Sequence, residues 1–435
     1  MKIPQVLLIA VEHAPGRLAK VLAVVGEAGL TIEGLNAVNR TQDKTVWELT
    51  IELSEESQID LTSRINAVGV AHVLGVSDRV FTQHRGGKTE NKSRLAINNL
   101  QILRDIYTPG VARVCLAIQE NPALAREFTG IPNSVAIITN GTAILGLGDI
   151  GPVAGMPVME GKAALFNDLA GVSGIPILLT EKNPEKIIEV IKAIAPTFGA
   201  IQLEDIAAPD CFMIEQRLQQ ELPIPVLHDD QHGTAVVVLA ALLSAFKQVK
   251  HQLKDCVIGQ IGLGAAGLGI TRLLLQYGVK GVLGADLNPQ AIAHLEQMGG
   301  KGAKLTELMQ QADVVIATTG VKGLIKPEWV RPGQMIFALS NPEPEIEPLK
   351  ALELGAAFAA DGKNVNNVQA FPGLFRGALD AGAKRFTDAM LFAAATSIAE
   401  NTPEGQLVPH PLDKSVHEKI SLAVYKAACE KEAQA

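Results

Sequence analysis

Over the first 80 residues, short apolar runs with a two-residue period alternate with one helical stretch and one shorter helical segment. The pattern predicts a strand at PQVLLIAVE, a helix from Gly16 to Ala28, strands at TIEGLNAVNR and VWELTIEL, a helix from Ser57 and a strand at AHVLGVSDRVF. That is the ferredoxin-like βαββαβ order. Between Gln83 and Arg94 the run QHRGGKTENKSR has no apolar period and contains a glycine pair, so it reads as a linker. From about Leu95 to Leu227, helices alternate with the short apolar runs SVAIIT, IPILLT and AIQLEDI, which predicts an α/β unit with parallel strands. A second α/β unit opens with a long apolar helix at about 234–249 and continues with strands CVIGQIG, GVLGAD, DVVIATT, MIFALS and AAFAAD. The expected division is 1–80, a linker at 81–93, 94–229 and 230–435. No period of 20–50 residues is visible, which sets solenoids and propellers aside.

Length agrees with this division, since 435 residues suit two or three domains. With 47% apolar and 19% charged residues, the composition is that of a soluble globular chain. A net charge of −8 without a basic stripe argues against nucleic acid as a partner. The start, MKIPQVLLIAVEHAPGRL, has one lysine and no small-residue cleavage pattern, so it is expected to be a strand and not a signal peptide. The longest apolar run, TAVVVLAALLSAF from Thr234, is shorter than the ~20 residues needed to span a bilayer, so no membrane partner is expected. Cys115, Cys211, Cys256 and Cys429 form no CxxC pair, which fits a reducing cytoplasm and argues against a zinc knuckle or a disulfide framework.

Chemistry is concentrated beyond the linker. Gly262, Gly264 and Gly267 form GxGxxG between an apolar strand and an apolar helix, where a backbone can approach a pyrophosphate at a helix N-terminus. Asp286 ends the next strand at the distance expected for a ribose hydroxyl, and no Arg or Lys adjoins it to receive a 2′-phosphate, so NAD is favoured over NADP. Two acidic pairs, Glu204-Asp205 and Asp229-Asp230, close two candidate strands at the ends where open parallel sheets bind ligands. Carboxylates gathered there call for a hard cation, Mg²⁺ or Mn²⁺. His228 and His232 have the spacing of HExxH, but Asp229 replaces the glutamate and the run is expected to follow a strand and lie outside a helix, so both are expected to be structural or to support the ligands from behind. Tyr107 in IYTPGVA and Lys162 in MEGKAALF place titratable groups among apolar neighbours, where a lysine pKa can fall toward working pH, and supply a candidate acid and base.

The ordered segments YTPGVA, NGTAILGLGDIG, PVMEGKAALF, QLEDI, HDDQHGTA, GLGAAG, SNPEPEI and NNVQAFPGLFRGAL resemble the signatures of malic enzymes, over about 94–385. The turn His13-Ala-Pro-Gly-Arg-Leu resembles the entry of ACT domains over the first 80 residues. The resemblance implies an N-terminal ferredoxin-like ACT domain, an α/β malic enzyme N-terminal domain and a Rossmann-type NAD-binding domain. It implies oxidative decarboxylation of malate to pyruvate by a cytoplasmic, NAD-dependent enzyme of the small bacterial type. Lys162 then matches the general base and Tyr107 the general acid, while Glu204, Asp205 and Asp230 match the metal ligands. Asp229 matches the partner of the lysine, and Asn341 and Asn367 match positions that hold the substrate carboxylate or the nicotinamide ribose. A homodimer or larger homo-oligomer and a small-molecule effector at the ACT domain are expected. Two departures stand out: Thr142-Ala143-Ile144 lies where larger relatives carry an arginine, and AADGKNV lacks the Arg-Ser-Asp run of many relatives.

Two other readings use the same residues. A malolactic enzyme would convert malate to lactate and retain NAD, so NADH release separates it. A non-catalytic metabolite sensor would not need the complete set of Tyr107, Lys162 and three carboxylates.

Overall fold

The computed structural model describes residues 2–54, 59–144, 147–247, 252–340, 343–362 and 365–432. The chain folds as two compact units, residues 1–90 and residues 91–435.

In the first unit, β1 (Lys2–Glu12), β2 (Thr31–Arg40), β3 (Lys44–Ser54) and β4 (Ala71–Asp78) form an antiparallel sheet ordered β2-β3-β1-β4. Leu7, Ile9 and Val11 alternate onto one buried face, where Val21 and Val25 of the Arg17–Glu27 helix and Leu61 and Ile65 of the Leu61–Ala67 helix cover them. Ser57, expected to start the second helix, lies outside the described residues; Asp60 caps the helix by accepting from Ser63 N at 3.0 Å. The last strand was expected to run through Phe81, but it ends at Asp78, where its pairing with β1 at Gln5 stops, and Arg79–His84 is helical. The first four residues of the expected linker, Phe81 to His84, therefore belong to a helix.

The second unit holds two parallel sheets. β5 (Ser134–Thr139), β6 (Ser173–Leu178), β7 (Ala200–Leu203) and β8 (Val226–His228) are ordered β6-β5-β7-β8. β9 (Val257–Ile261), β10 (Gly281–Ala285), β11 (Lys301–Gly302), β12 (Val314–Ala317), β13 (Met335–Ala338) and β14 (Phe358–Asp361) are ordered β11-β10-β9-β12-β13-β14. Counted within that sheet, the order is the 3-2-1-4-5-6 of dinucleotide-binding folds, with the switch point between β9 and β12. One buried core joins the sheets, with Val135 and Ile137 on one side and Ile258 and Ile316 on the other.

Between the sheets lies the Asp229–Phe246 helix, whose residues Ala235 to Leu242 are all buried. It begins five residues before the expected position, so Asp229 and Asp230 occupy its first turn and do not close a strand. Acidic residues there meet the positive end of the helix dipole. Among the described residues, no helix is long and apolar enough to cross a membrane.

Candidate active site

β7 and β8 are neighbours in register, so the residues that follow them emerge side by side. Glu204 and Asp205 follow β7, Asp230 follows β8, and one carboxylate oxygen from each lies within 4.8 Å of the others. Asp205 has φ 52°, a left-handed conformation uncommon for a residue with a side chain. Its N–H donates to Asp230 Oδ2 at 2.9 Å, and Gln202 Nε2 donates to Glu204 Oε2 at 2.6 Å. Burial pushes the pKa of Glu204 upward and that of Asp230 up to about 6. Three carboxylates held together, Glu204 and Asp205 buried and Asp230 half-buried, are a donor set of hard oxygens, which fits Mg²⁺ or Mn²⁺.

Lys162, on the Pro152–Ala170 helix, is buried and bonds Asp229, with Glu204 Oε1 at 3.1 Å and the Phe371 ring centroid at 4.5 Å from its Nζ. Burial opposes its charge, yet Asp229, Glu204 and Asp230 together raise its pKa above the ordinary lysine value. The expectation that apolar surroundings lower it is therefore corrected, because the carboxylates outweigh desolvation. Asp229 is itself raised to about 6 by burial, against the pull of Lys162.

Gly233 faces both Asp229 and Asn367: a Cβ on it would stand 1.9 Å from Asp229 Oδ1 and 3.4 Å from Asn367 Cβ. Asn367 lines a cavity of about 290 Å³ with Thr234, Ala266, Thr318 and Ser340. Thr318 also lines a larger cavity of about 1010 Å³ that contains Gly262, Gly264 and Asp286. Gly262 turns at φ 85°, and a Cβ on Gly267 would lie 2.0 Å from Gly262 O, so the turn and the helix start both require glycine. Asp286 Oδ2 accepts from Leu263 N at 2.7 Å and Oδ1 from Asn288 N at 2.7 Å, so it also fixes the glycine turn. Asn341 lies outside the described residues.

Tyr107 is not brought to this cluster. It ends the Leu100–Ile106 helix and is 66% exposed, and among the described residues no hydrogen bond joins it to Lys162. Thr142 and Ala143, in place of the arginine of larger relatives, brace the acidic loop: Ala207 N donates to Thr142 Oγ1 at 2.9 Å, and Ala143 N to Asp205 O at 3.1 Å. In the other departure, Lys363 and Asn364 lie outside the described residues. His228 is the buried N-cap of the Asp229–Phe246 helix, and His232 lies inside it, contrary to expectation. His232 Nε2 pairs with Glu215 Oε2 at 3.0 Å, away from the three-acid cluster.

Sequence reasoning missed Gln202, Phe371, Glu215 and Gln260. Glu215 also accepts from His228 N at 2.7 Å, anchoring the start of the acidic helix. Gln260 Nε2 donates to Gly262 O at 3.0 Å and to Thr318 Oγ1 at 2.9 Å beneath the glycine turn. Only a polar residue inside a strand marked Gln202 and Gln260; Glu215 and Phe371 left no local signal.

The family model for the malic enzyme N-terminal domain matches residues 87–219, and that for the malic enzyme NAD binding domain matches 231–299 and 286–429. The chain is 52% identical over 425 residues to NAD-dependent malic enzyme 1 of Bacillus subtilis, covering 97% of each. It is 42% identical over 434 residues to the NAD-dependent malic enzyme of Geobacillus stearothermophilus, covering 94% of this chain and 91% of that protein. The crystal structure of malic enzyme from Pyrococcus horikoshii superposes with a TM-score of 0.76 at 40% identity, covering 80% of this chain and 88% of that one. With an acid cluster, a buried lysine and a dinucleotide-type sheet in one unit, and these likenesses along almost its whole length, the chain belongs to the malic enzyme family.

Proposed function

We propose that the protein catalyses the NAD-dependent oxidative decarboxylation of malate to pyruvate and CO₂ in the cytoplasm. The observation that carries this is Lys162, held by Asp229 and Glu204 of a cluster of buried and half-buried carboxylates, in the same unit as the glycine turn and Asp286. Glu204, Asp205 and Asp230 would hold Mg²⁺ or Mn²⁺. Gly262, Gly264, Gly267, Asp286 and Asn341 would hold NAD, while Asn341 and Asn367 would orient the substrate. When bound, NAD supplies the hydride acceptor and the cation supplies Lewis acidity toward the C2 oxygen. Lys162, having given up its proton, takes the proton of the malate C2 hydroxyl, and Asp229 keeps the amine aimed. After CO₂ leaves, Tyr107 donates its phenolic proton to C3 of enolpyruvate. Malate should drive NADH formation that stops on chelation and returns with Mn²⁺. Turnover surviving EDTA and dialysis would overturn the metal assignment.

Residues 81–93, which begin with the end of the Arg79–His84 helix, serve as the linker, and residues 94–229 and 230–435 carry the chemistry. Residues 1–80 act as an ACT-type regulatory domain. Its βαββαβ order and antiparallel sheet support this reading, as does a cavity of about 300 Å³ at the turn after β1, lined by Glu12, His13, Leu18, Thr45 and Trp47. His13 is held there by Thr45 and Arg40. A small effector, of amino-acid class, bound at this turn should change apparent malate affinity by roughly 5–150-fold, the usual range of allosteric coupling. Amino acids are screened against the full chain and one lacking residues 1–80. Regulation that persists in the shortened chain places the effector elsewhere.

Tyr107 must be covered to act, and the segment around it carries exposed Leu95, Ile97, Leu100, Leu103, Val114 and Leu116. A run of exposed apolar side chains of this kind marks an association surface. A second copy of the chain covers it, which makes the protein a homodimer.

A further inference from the structure

The two cavities are bounded by loops that follow β12 and β13, and the last sheet bonds before them are Thr318 N to Ile261 O and Leu339 N to Ala317 O, both at 2.9 Å. A side chain outside both cavities joins them. Glu345 is fully buried, and its Oε1 accepts from Thr319 N at 2.7 Å, Thr319 Oγ1 at 2.8 Å and Ser340 Oγ at 2.5 Å. Its Oε2 lies 3.4 Å from Ser340 N, which donates to it. Ser340 Oγ in turn accepts from Gly320 N at 2.7 Å. Thr319 lines the larger cavity and Ser340 the smaller, so one carboxylate fixes a wall of each.

Three donors converging on one buried oxygen set a narrow geometry. A buried carboxylate is retained at such cost only when its partners are fully engaged. The Glu345 side chain is the buried member of a set of ties between these loops: Gly323 N also donates to Pro344 O at 3.2 Å, and Lys322 Nζ pairs with Glu343 Oε1 at 2.7 Å on the exposed surface. The backbone of Glu345 adds a further tie, its carbonyl accepting from Ile325 N at 3.0 Å.

We propose that Glu345 is a positioning residue for the dinucleotide, which ties the loop after β12 to the loop after β13 and so sets NAD affinity without touching the cofactor. This rests on the reading of the two cavities as one dinucleotide site. Glu345→Ala should weaken NADH binding, read by nicotinamide fluorescence, and raise the KM for NAD by about tenfold or more, since several charge-assisted bonds are lost. Affinity for Mn²⁺, read by electron paramagnetic resonance, should stay within about twofold, because among the described residues the Glu345 side chain bonds Thr319 and Ser340 and none of the three acids. Glu345→Gln keeps an oxygen for the three convergent donors and should recover most of the NADH affinity. Glu345→Asp keeps the charge but shortens the reach, so it should also weaken NADH binding, and it decides the matter if the alanine variant does not fold.

A folded Glu345→Ala or Glu345→Asp variant that binds NADH as the unaltered protein does overturns the proposal, as does a parallel loss of NADH and Mn²⁺ affinity. Asp286→Ala separates the two readings. If it weakens NADH binding while the Glu345 variants do not, the cavity reading stands and the proposal falls; if none of them does, both fall.

Discussion

Protons and a divalent cation compete for the same oxygens at the acid cluster. Burial raises Glu204 and brings Asp230 to about 6, so below that pH Asp230 increasingly holds a proton that a metal must displace, and Glu204 is shifted in the same direction. The sign follows directly: Mn²⁺ affinity should fall as pH drops through about 6, by up to about tenfold per unit for each proton released. Titration of Mn²⁺ by electron paramagnetic resonance between about pH 5 and 8 checks this, and an affinity flat across that range would contradict it. The same cation would cancel the carboxylate charges that raise Lys162, lowering its pKa toward the value a base needs. At this scale the sequence was readable wherever the chemistry is local. The adjacent pairs Glu204-Asp205 and Asp229-Asp230 announced themselves, whereas the ring of Phe371, placed under Lys162 by a distant helix, could not be seen in any short window.

Among the elements, the glycine turn after β9 was the clearest, because strand, turn and helix follow one another without interruption and the conformation requires glycine. Asp286, directly after β10, lies in the same cavity and gives a test of cofactor choice. Its carboxylate would repel a 2′-phosphate, so kcat/KM should favour NAD over NADP, and Asp286→Ser should narrow the ratio; a preference for NADP in the unaltered protein would refute the assignment. The two-residue strand β11 went unread because it is too short to carry a period, and the start of the Asp229–Phe246 helix was misplaced because its first turn is charged and the apolar signal begins only later. Gly233, in that first stretch, looks like a helix weakener in the sequence. In the structure it makes room for Asp229, which only three-dimensional proximity could disclose.

At the scale of the whole molecule, the two parallel α/β units followed from alternation of strands and helices, but the order of strands within each sheet and the position of Tyr107 did not. A tyrosine 66% exposed cannot protect a proton transfer from water, and the apolar residues near it call for a cover. If a second copy provides that cover and each site takes its tyrosine from the neighbour, mixing inactive Lys162→Ala with inactive Tyr107→Phe chains should restore part of the turnover after subunit exchange. Absence of any recovery in verified mixed dimers would place both residues in one chain's site. The helix from Asp229 to Phe246 has a further consequence. It carries Asp229 and Asp230 at one end and, within the next turns, Thr234, Val237 and Val238 on the wall of a cofactor cavity. Each residue advances the axis by about 1.5 Å, so the helix works as a ruler that spaces the acid cluster from the dinucleotide. A surface loop away from the cavities can absorb an added residue, but one residue added between Asp230 and Thr234 would turn the acids about 100° away from the cavity wall, and the two halves of the reaction would no longer meet.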